Sequence, residues 1–293
     1  MKNFKIISVA LILLSMASCS KNDEEPVTKQ EAFIGSMGAK FVDEATYNSF
    51  EKADINELSL KIKGLNAQSA NKALPSTYTI SGSVVGDQGS EGSCTAWATA
   101  YAAFSILEYN FRGITQPRSP EYVYNQTKLG NECNSGSLIS VALNLLKNEG
   151  ACSFAEMPHD NTQCSIQPTT AQKTAANSHK LVKWSTVSNS NIYGLKNVIS
   201  MNIPVIIAIT LDEEFKNLNI TGWILKKRSG KILGAHSLCV IGYDDNKQAF
   251  KVQNSWGASW GNNGYFWIDY DLFKNTSSGG DRLVNESYIA FVQ

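Results

Sequence analysis

The chain is short of several things that would have fixed its class at once. Basic and acidic residues balance at 26 each, so it has no excess of either sign. That argues against the strongly basic surface of a nucleic-acid protein. Only 18% of residues are charged and 43% are hydrophobic, which excludes a solvated disordered chain. Six cysteines in 293 residues are too few and too spread out for a small disulfide scaffold. There are three histidines and no Cys/His cluster with zinc spacing, so neither a metal nor a cofactor is expected. No internal repeat is visible. The length suits one large domain or two lobes with extensions, ample for a buried core.

Long apolar runs are also missing, with one short exception at the start. Lys2 and Lys5 precede Ile6, Ile7, Val9 and Leu11 to Leu14, and small Ala17 and Ser18 then precede Cys19. This is the pattern of a secretory signal, too short to span a bilayer. A cysteine directly after a small-residue cleavage site resembles a bacterial lipoprotein signal, with Met16 where Leu is preferred. The resemblance implies cleavage after residue 18 and lipidation of Cys19. The charged stretch Lys21 to Glu25 resembles a surface-export signal of Bacteroidota lipoproteins. The expectation is an outer-membrane lipoprotein at the cell envelope, surface-exposed or secreted, touching the lipid membrane through its acylated N-terminal cysteine. Losing residues 1–18 removes Lys2 and Lys5 and no acid, so 24 basic residues face 26 acidic ones. Outside the cytoplasm the spare cysteines are free to pair.

Residues 27–74 are polar, with apolar residues at Ile34, Phe41, Tyr47, Phe50, Ile55 and Leu58 that hint at a helix or loose turns. Gly64 to Lys72 reads as linker and Leu74-Pro75 as a domain edge. Residues 19–74 therefore read as an anchor and tether or as a short pro-segment across a cleft, and their linker-like composition favours the tether.

Beyond Val84 the character changes. A Gly/Ser-rich loop, Gly86 to Ser93, runs into Cys94 and an Ala-rich stretch with Trp97, Tyr101, Phe104 and Leu107 at helical spacing. Ser93 stands at the N-cap position, so Cys94 falls in the first turn of a buried helix. A second helix is expected over 137–148. Strands are expected over 204–209, 237–243, 249–254 and 264–268. Helices first and strands later mean an α+β chain, not alternating βαβ units.

Gln88, Cys94, His236 and Asn254 stand out. Gln88 lies six residues ahead of Gly92-Ser93-Cys94, and Gly234-Ala235-His236-Ser237 opens a strand. Asn254-Ser255-Trp256-Gly257 is followed by Trp260-Gly261 and Gly264-Tyr265. Over about residue 75 to the end, this pattern resembles the papain-like cysteine peptidases. The resemblance implies a two-lobed fold, a helical lobe over about 75–180 and an antiparallel, barrel-like lobe over 181–293, with the active-site cleft between them. It implies a monomeric endopeptidase acting on polypeptides, with Cys94 as nucleophile, His236 as acid–base and Asn254 orienting the imidazole. Gln88 would serve the oxyanion and Trp256 would shield the His–Asn bond. Physical chemistry agrees with that division of labour. The thiolate is the nucleophile, and a helix N-terminus and an imidazolium both favour it. A donor aimed at the developing oxyanion lowers the barrier further. His159 and His179 lack such context and read as surface or structural.

The departures from the family pattern are specific. Glu91 stands where the family usually has a disulfide cysteine. Thr95 replaces an aromatic and leaves room beside the thiol. Ser135-Gly136 replaces a Gly-Gly pair in a substrate subsite. Ala235 and Trp256 complete the implied substrate contacts, with Ala235 favouring a bulky apolar residue. The resemblance gives Cys152–Cys164 as the first choice of disulfide and Cys133–Cys164 as the second, with Cys239 buried and reduced. Two rivals remain at this point: a peptide-binding lipoprotein without turnover, and acyl transfer or amidase chemistry on a related fold.

Overall fold

The structure is a computed structural model and describes residues 34–58, 73–274 and 282–293, all within one compact unit. The expected signal segment, Cys19 and the linker Gly64 to Lys72 lie outside the described residues.

The chain opens with strand β1 (Ala39–Lys40) and helix α1 (Glu44–Ser49), capped by the Asp43 carboxylate on Thr46 N–H. Strand β2 (Thr77–Thr79) follows. The Ala-rich stretch forms one helical run: α2 (Cys94–Ala96), a π-helical segment Trp97–Phe104, and α3 (Ser105–Arg112), which ends on left-handed Gly113. Every side chain of the π segment is buried. Ser93 does precede this run, but its hydroxyl makes no capping bond. Helix α4 (Pro120–Thr127), strand β3 (Ser137–Leu138), helix α5 (Ile139–Asn148) and helix α6 (Thr170–Ala176) complete the helical lobe.

The second lobe is built on one large sheet. Its strands are β4 (Lys183–Thr186), β5 (Val205–Asp212), β6 (Ile224–Leu225), β7 (Ile232–Asp244), β8 (Ala249–Gln253), β9 (Tyr265–Asp269) and β10 (Val284–Phe291). They run in the order β4-β10-β5-β7-β8-β9-β6, and β2 adds to β7. Apart from the β6–β9 pair, all these pairings are antiparallel. Helix α7 (Ile192–Ser200) precedes β5, and α8 (Tyr270–Phe273) follows β9. The architecture is the expected α+β, two-lobed fold. Its apolar core runs from Phe104 and Tyr122 in the first lobe to Ile207, Phe250 and Tyr288 in the second.

One sequence expectation is corrected. The disulfide is Cys133–Cys164, with Cα atoms 5.4 Å apart, not Cys152–Cys164. Cys152 is fully buried at the start of a turn whose carbonyl takes the Ser119 N–H, and its thiol is free. That placement commits Cys152 to the core and leaves Cys164 facing the loop that carries Cys133. Residues 34–58, although linker-like in composition, are packed on the domain. Tyr47 and Phe50 join Trp184 and Tyr288 in an aromatic cluster with centroid separations of 5.1–6.4 Å. The Val42 N–H donates to buried Glu286 at 2.7 Å.

Candidate active site

Sheet register assembles half of the site. β7 and β8 pair with Cys239 opposite Gln253. Continuing that register brings residues 254–256 alongside 236–238. Asn254 Oδ1 then lies 2.8 Å from His236 Nε2. Asn254 Oδ1 also accepts the Ser255 N–H at 2.8 Å, so it is fixed as an acceptor. His236 must therefore donate through Nε2–H, which leaves Nδ1 as the free base. Nδ1 is buried and has no hydrogen-bond partner among the described residues. The Trp256 ring lies over the imidazole at 4.7 Å and 31°. The indole is thus packed against the imidazole that bonds Asn254.

The helical lobe supplies the thiol. Cys94 begins α2 and is fully buried. Its neighbour Thr95, also buried, bonds across to the Ser237 hydroxyl at 3.0 Å and to the Ser137 carbonyl at 3.2 Å. The room left by the missing aromatic is filled by a polar cross-link between the lobes. That link sets Cys94 beside the strand that carries His236. The Ser237 and Gly38 backbone N–H groups lie next to the thiol and favour its charged form, but burial outweighs them and raises its pKa. Burial likewise lowers His236 to about 4 against the pull of the Asn254 bond. In this closed site both groups are neutral at pH 7.

Gln88 is fully buried and held from three sides. Its backbone N–H donates to Ser255 O at 2.8 Å, and its side-chain amide donates to Glu91 O at 2.8 Å. The Ser255 hydroxyl donates to its Oε1. One Nε2 hydrogen remains for another acceptor.

A stretch of the chain itself covers these groups. β1 pairs in parallel with β3, Ala39 opposite Ser137, and the Ser137 N–H donates to Gly38 O at 3.0 Å. The Trp256 indole donates to Ser36 O at 3.0 Å. A Cβ at Gly38 would lie 1.8 Å from the Gly92 carbonyl oxygen, and one at Gly35 would strike the Trp256 ring at 2.6 Å. Glycine is what lets the backbone pass this close. Gly136, with φ +76°, faces Gly38 O, so the half of the subsite pair that matches the family supports this contact. Ser135 sits at the rim, bonded to Glu132 O. Met37 lies against Gly234, next to Ala235 on β7.

One cluster beside the site was not anticipated. Glu91 is buried, and its carboxylate lies 3.6 Å from His159 Nδ1, which also meets Glu121 at 2.9 Å. These three donor groups fall within 4.8 Å of one another, close enough to share a proton or a cation. The sequence signal was Glu91 itself, an acid in a position that the resemblance assigns to a buried cysteine. His179 is structural, bonding Glu108 at 2.9 Å beside buried Arg118.

The papain family cysteine protease profile matches residues 77–279. This chain belongs to that family. Among curated relatives, a peptidase C1-like protein of Acanthamoeba polyphaga mimivirus is 28% identical over 208 residues, 67% of each chain. Cysteine proteinase 3 of Dictyostelium discoideum is 25% identical over 187 residues, 62% of this chain and 53% of its own length. A cathepsin L-like proteinase of Fasciola hepatica is 24% identical over 240 residues, 78% of this chain and 72% of its own. The chain thus spans between about half and three quarters of these relatives' lengths. Among solved structures, xylellain, a cysteine protease from Xylella fastidiosa, superposes with a TM-score of 0.69 at 21% identity, covering 90% of this chain and 98% of that one. The bromelain protease from Ananas comosus, solved with the E64 inhibitor, gives 0.59 at 22%, covering 75% and 100%. At these identities the superpositions establish the fold.

Proposed function

We propose that the chain is a cysteine endopeptidase of the cell envelope, held latent by its own residues 34–42. The observation that carries this reading is the pairing of His236 Nε2 with Asn254, which leaves a bare Nδ1 on the strand beside the Cys94 thiol. Cys94 attacks the scissile carbonyl, and its proton passes to His236 Nδ1. Gln88 and the Cys94 backbone N–H receive the oxyanion. His236 then protonates the leaving amine. In the second half it takes a proton from water, which attacks the thioester. Asn254 keeps the imidazole in the required tautomer throughout. Cys94→Ala should abolish hydrolysis of an unstructured protein substrate and leave the melting temperature within a few degrees. Retained turnover in that variant would remove the mechanism.

Latency follows from what residues 34–42 do. They bond to Trp256 and Ser137, bring Gly38 to the thiol and exclude water from it. Of the two readings of the leader, these contacts favour the pro-segment over the tether. Met37, against Gly234, holds an apolar side chain beside Ala235, which supports preference for an apolar substrate residue there. The lipid anchor at Cys19 rests on the sequence pattern. Cell fractionation tests it: Cys19→Ser should move the protein from the membrane pellet to the soluble fraction, and continued pelleting would refute it.

A further inference from the structure

The loop that presents Gln88 is gripped by a side chain from the far end of the helical lobe. His159 Nε2 lies 3.0 Å from Gln88 O, and 3.2 Å from Asn161 Oδ1. A carbonyl can only accept, so Nε2 carries a hydrogen. His159 Nδ1 meets Glu121 Oε2 at 2.9 Å and Glu91 Oε2 at 3.6 Å. A bare nitrogen lone pair would repel both carboxylates, so a proton lies in that contact as well. Glu121 is tied in place by the Asp160 N–H at 3.4 Å. Glu91 closes the circuit, because its own carbonyl accepts the Gln88 side-chain amide. The Trp97 ring meets the imidazole edge-on at 5.2 Å and 84°.

We infer that His159 is a positioning residue for the oxyanion donor: as an imidazolium between Glu121 and Glu91 it holds the Gln88 carbonyl, and loss of its proton loosens the Gln88 loop. This rests on the peptidase reading and on Gln88 as oxyanion donor. The charged and titratable groups facing the cluster are Glu91, Glu121 and Asp160, with the Ser93 hydroxyl beside Glu91 and Tyr124 behind it. Burial raises Glu91 to about 7, with Glu121 adding to that and His159 and Ser93 opposing it. For His159, burial pulls downward, but the Glu121 bond and the Glu91 charge outweigh it and the net direction is up. An imidazolium holding through neutral pH fits these directions.

The test compares two reactions of the same thiol in the full-length chain opened by Gly38→Ala, whose Cβ cannot fit against the Gly92 carbonyl. Amide hydrolysis passes through an oxyanion, whereas alkylation of Cys94 by iodoacetamide does not. His159→Gln should lower kcat about tenfold, a fraction of the 10²–10³ lost with an oxyanion donor. KM and the alkylation rate should stay within twofold. Glu91→Gln removes a negative charge beside the imidazolium. It should move the alkaline limb of kcat downward by up to about one pH unit and leave the alkylation profile in place. Equal falls in kcat and alkylation, or an unmoved alkaline limb, would overturn the inference. So would a kcat abolished by EDTA and restored by Zn²⁺, since a metal would then occupy the cluster. No turnover even in the opened Gly38→Ala chain would instead indict the peptidase reading.

Discussion

Gly38→Ala isolates the blocking contact. The new methyl would sit 1.8 Å from the Gly92 carbonyl oxygen and 2.4 Å from its carbon. Gly92 cannot retreat freely, because its N–H is bonded to Cys133 O at 2.8 Å and it lies two residues from Cys94. The segment must move instead. It then loses the bonds nearest the clash, Ser137 N–H to Gly38 O and Trp256 Nε1–H to Ser36 O. At about 0.5–1.5 kcal/mol net for each, closure weakens by about 1–3 kcal/mol. The open fraction should rise about 5- to 150-fold. Two assays on full-length protein read it: the initial rate on a fluorogenic peptide and the pseudo-first-order rate of Cys94 alkylation. Both should rise together, because both need the thiol uncovered. Lys40→Ala, on the exposed side of the same strand, should leave both within twofold. A Gly38→Ala chain that reacts at the parent rate in both assays, with an unchanged melting temperature, would refute the view that this backbone blocks the cleft.

The same closure should depend on pH in a defined direction. Burial holds His236 at about 4 in the closed site, against an ordinary value of 6.5. Between those values the open form binds more protons. The stability of closure is complete above about 6.5 and lost as pH falls, about 1.4 kcal/mol or tenfold per unit. At the other end burial raises the Cys94 thiol above its ordinary 9.0, so the open form ionises first and alkali also favours opening. Hydrogen-exchange protection of residues 36–42, corrected for the intrinsic rate, should peak between about pH 6.5 and 9; constant protection from pH 7 to 4.5 would contradict this. Non-reducing peptide mapping should recover Cys133 joined to Cys164, with Cys152 free. The bridge spans 31 residues. Its loss through Cys133→Ser should cost about 3–4 kcal/mol and roughly 7–15 °C of melting temperature. A Cys152–Cys164 peptide would overturn the pairing.

The parts of the fold legible in the sequence were those where side chains carry the signal. The helix behind Cys94 and strands β5, β7, β8 and β9 announce themselves by apolar spacing, and the structure has each within a few residues. Strand β10 did not, because Val284-Asn285-Glu286-Ser287 breaks the apolar pattern. Its Glu286 is tolerated in the interior because the Val42 N–H and the Tyr288 hydroxyl both donate to it. Strand β4 reads Lys183-Trp184-Ser185-Thr186, and its pairing with β10 is set by the sheet edge rather than by hydrophobicity. The disulfide turned on the placement of Cys152, which depends on packing between segments far apart in sequence.

The packing of residues 34–58 was not legible for a related reason, and that reason bears on the proposed latency. A segment that threads a cleft by its backbone has no use for apolar periodicity. It needs glycine where it passes the Gly92 carbonyl and the Trp256 ring, and short residues such as Ser36 between. In composition that is the same as a linker. The energetics of closure are equally invisible to pattern. Covering Cys94 and His236 removes the water that would stabilise a charge on either, so burial favours the neutral thiol and the neutral imidazole. Under the proposed latency the leader would act twice, by occupying the space a substrate would fill and by switching off the thiol it covers. Hydrolysis needs the whole segment displaced, whereas iodoacetamide needs only the fully buried Cys94 thiol uncovered, and desolvation slows that reaction as well. Reagent size thus separates the two effects: if iodoacetamide reacts with the closed chain as fast as with Gly38→Ala while peptide hydrolysis differs, the electrostatic half of the argument fails.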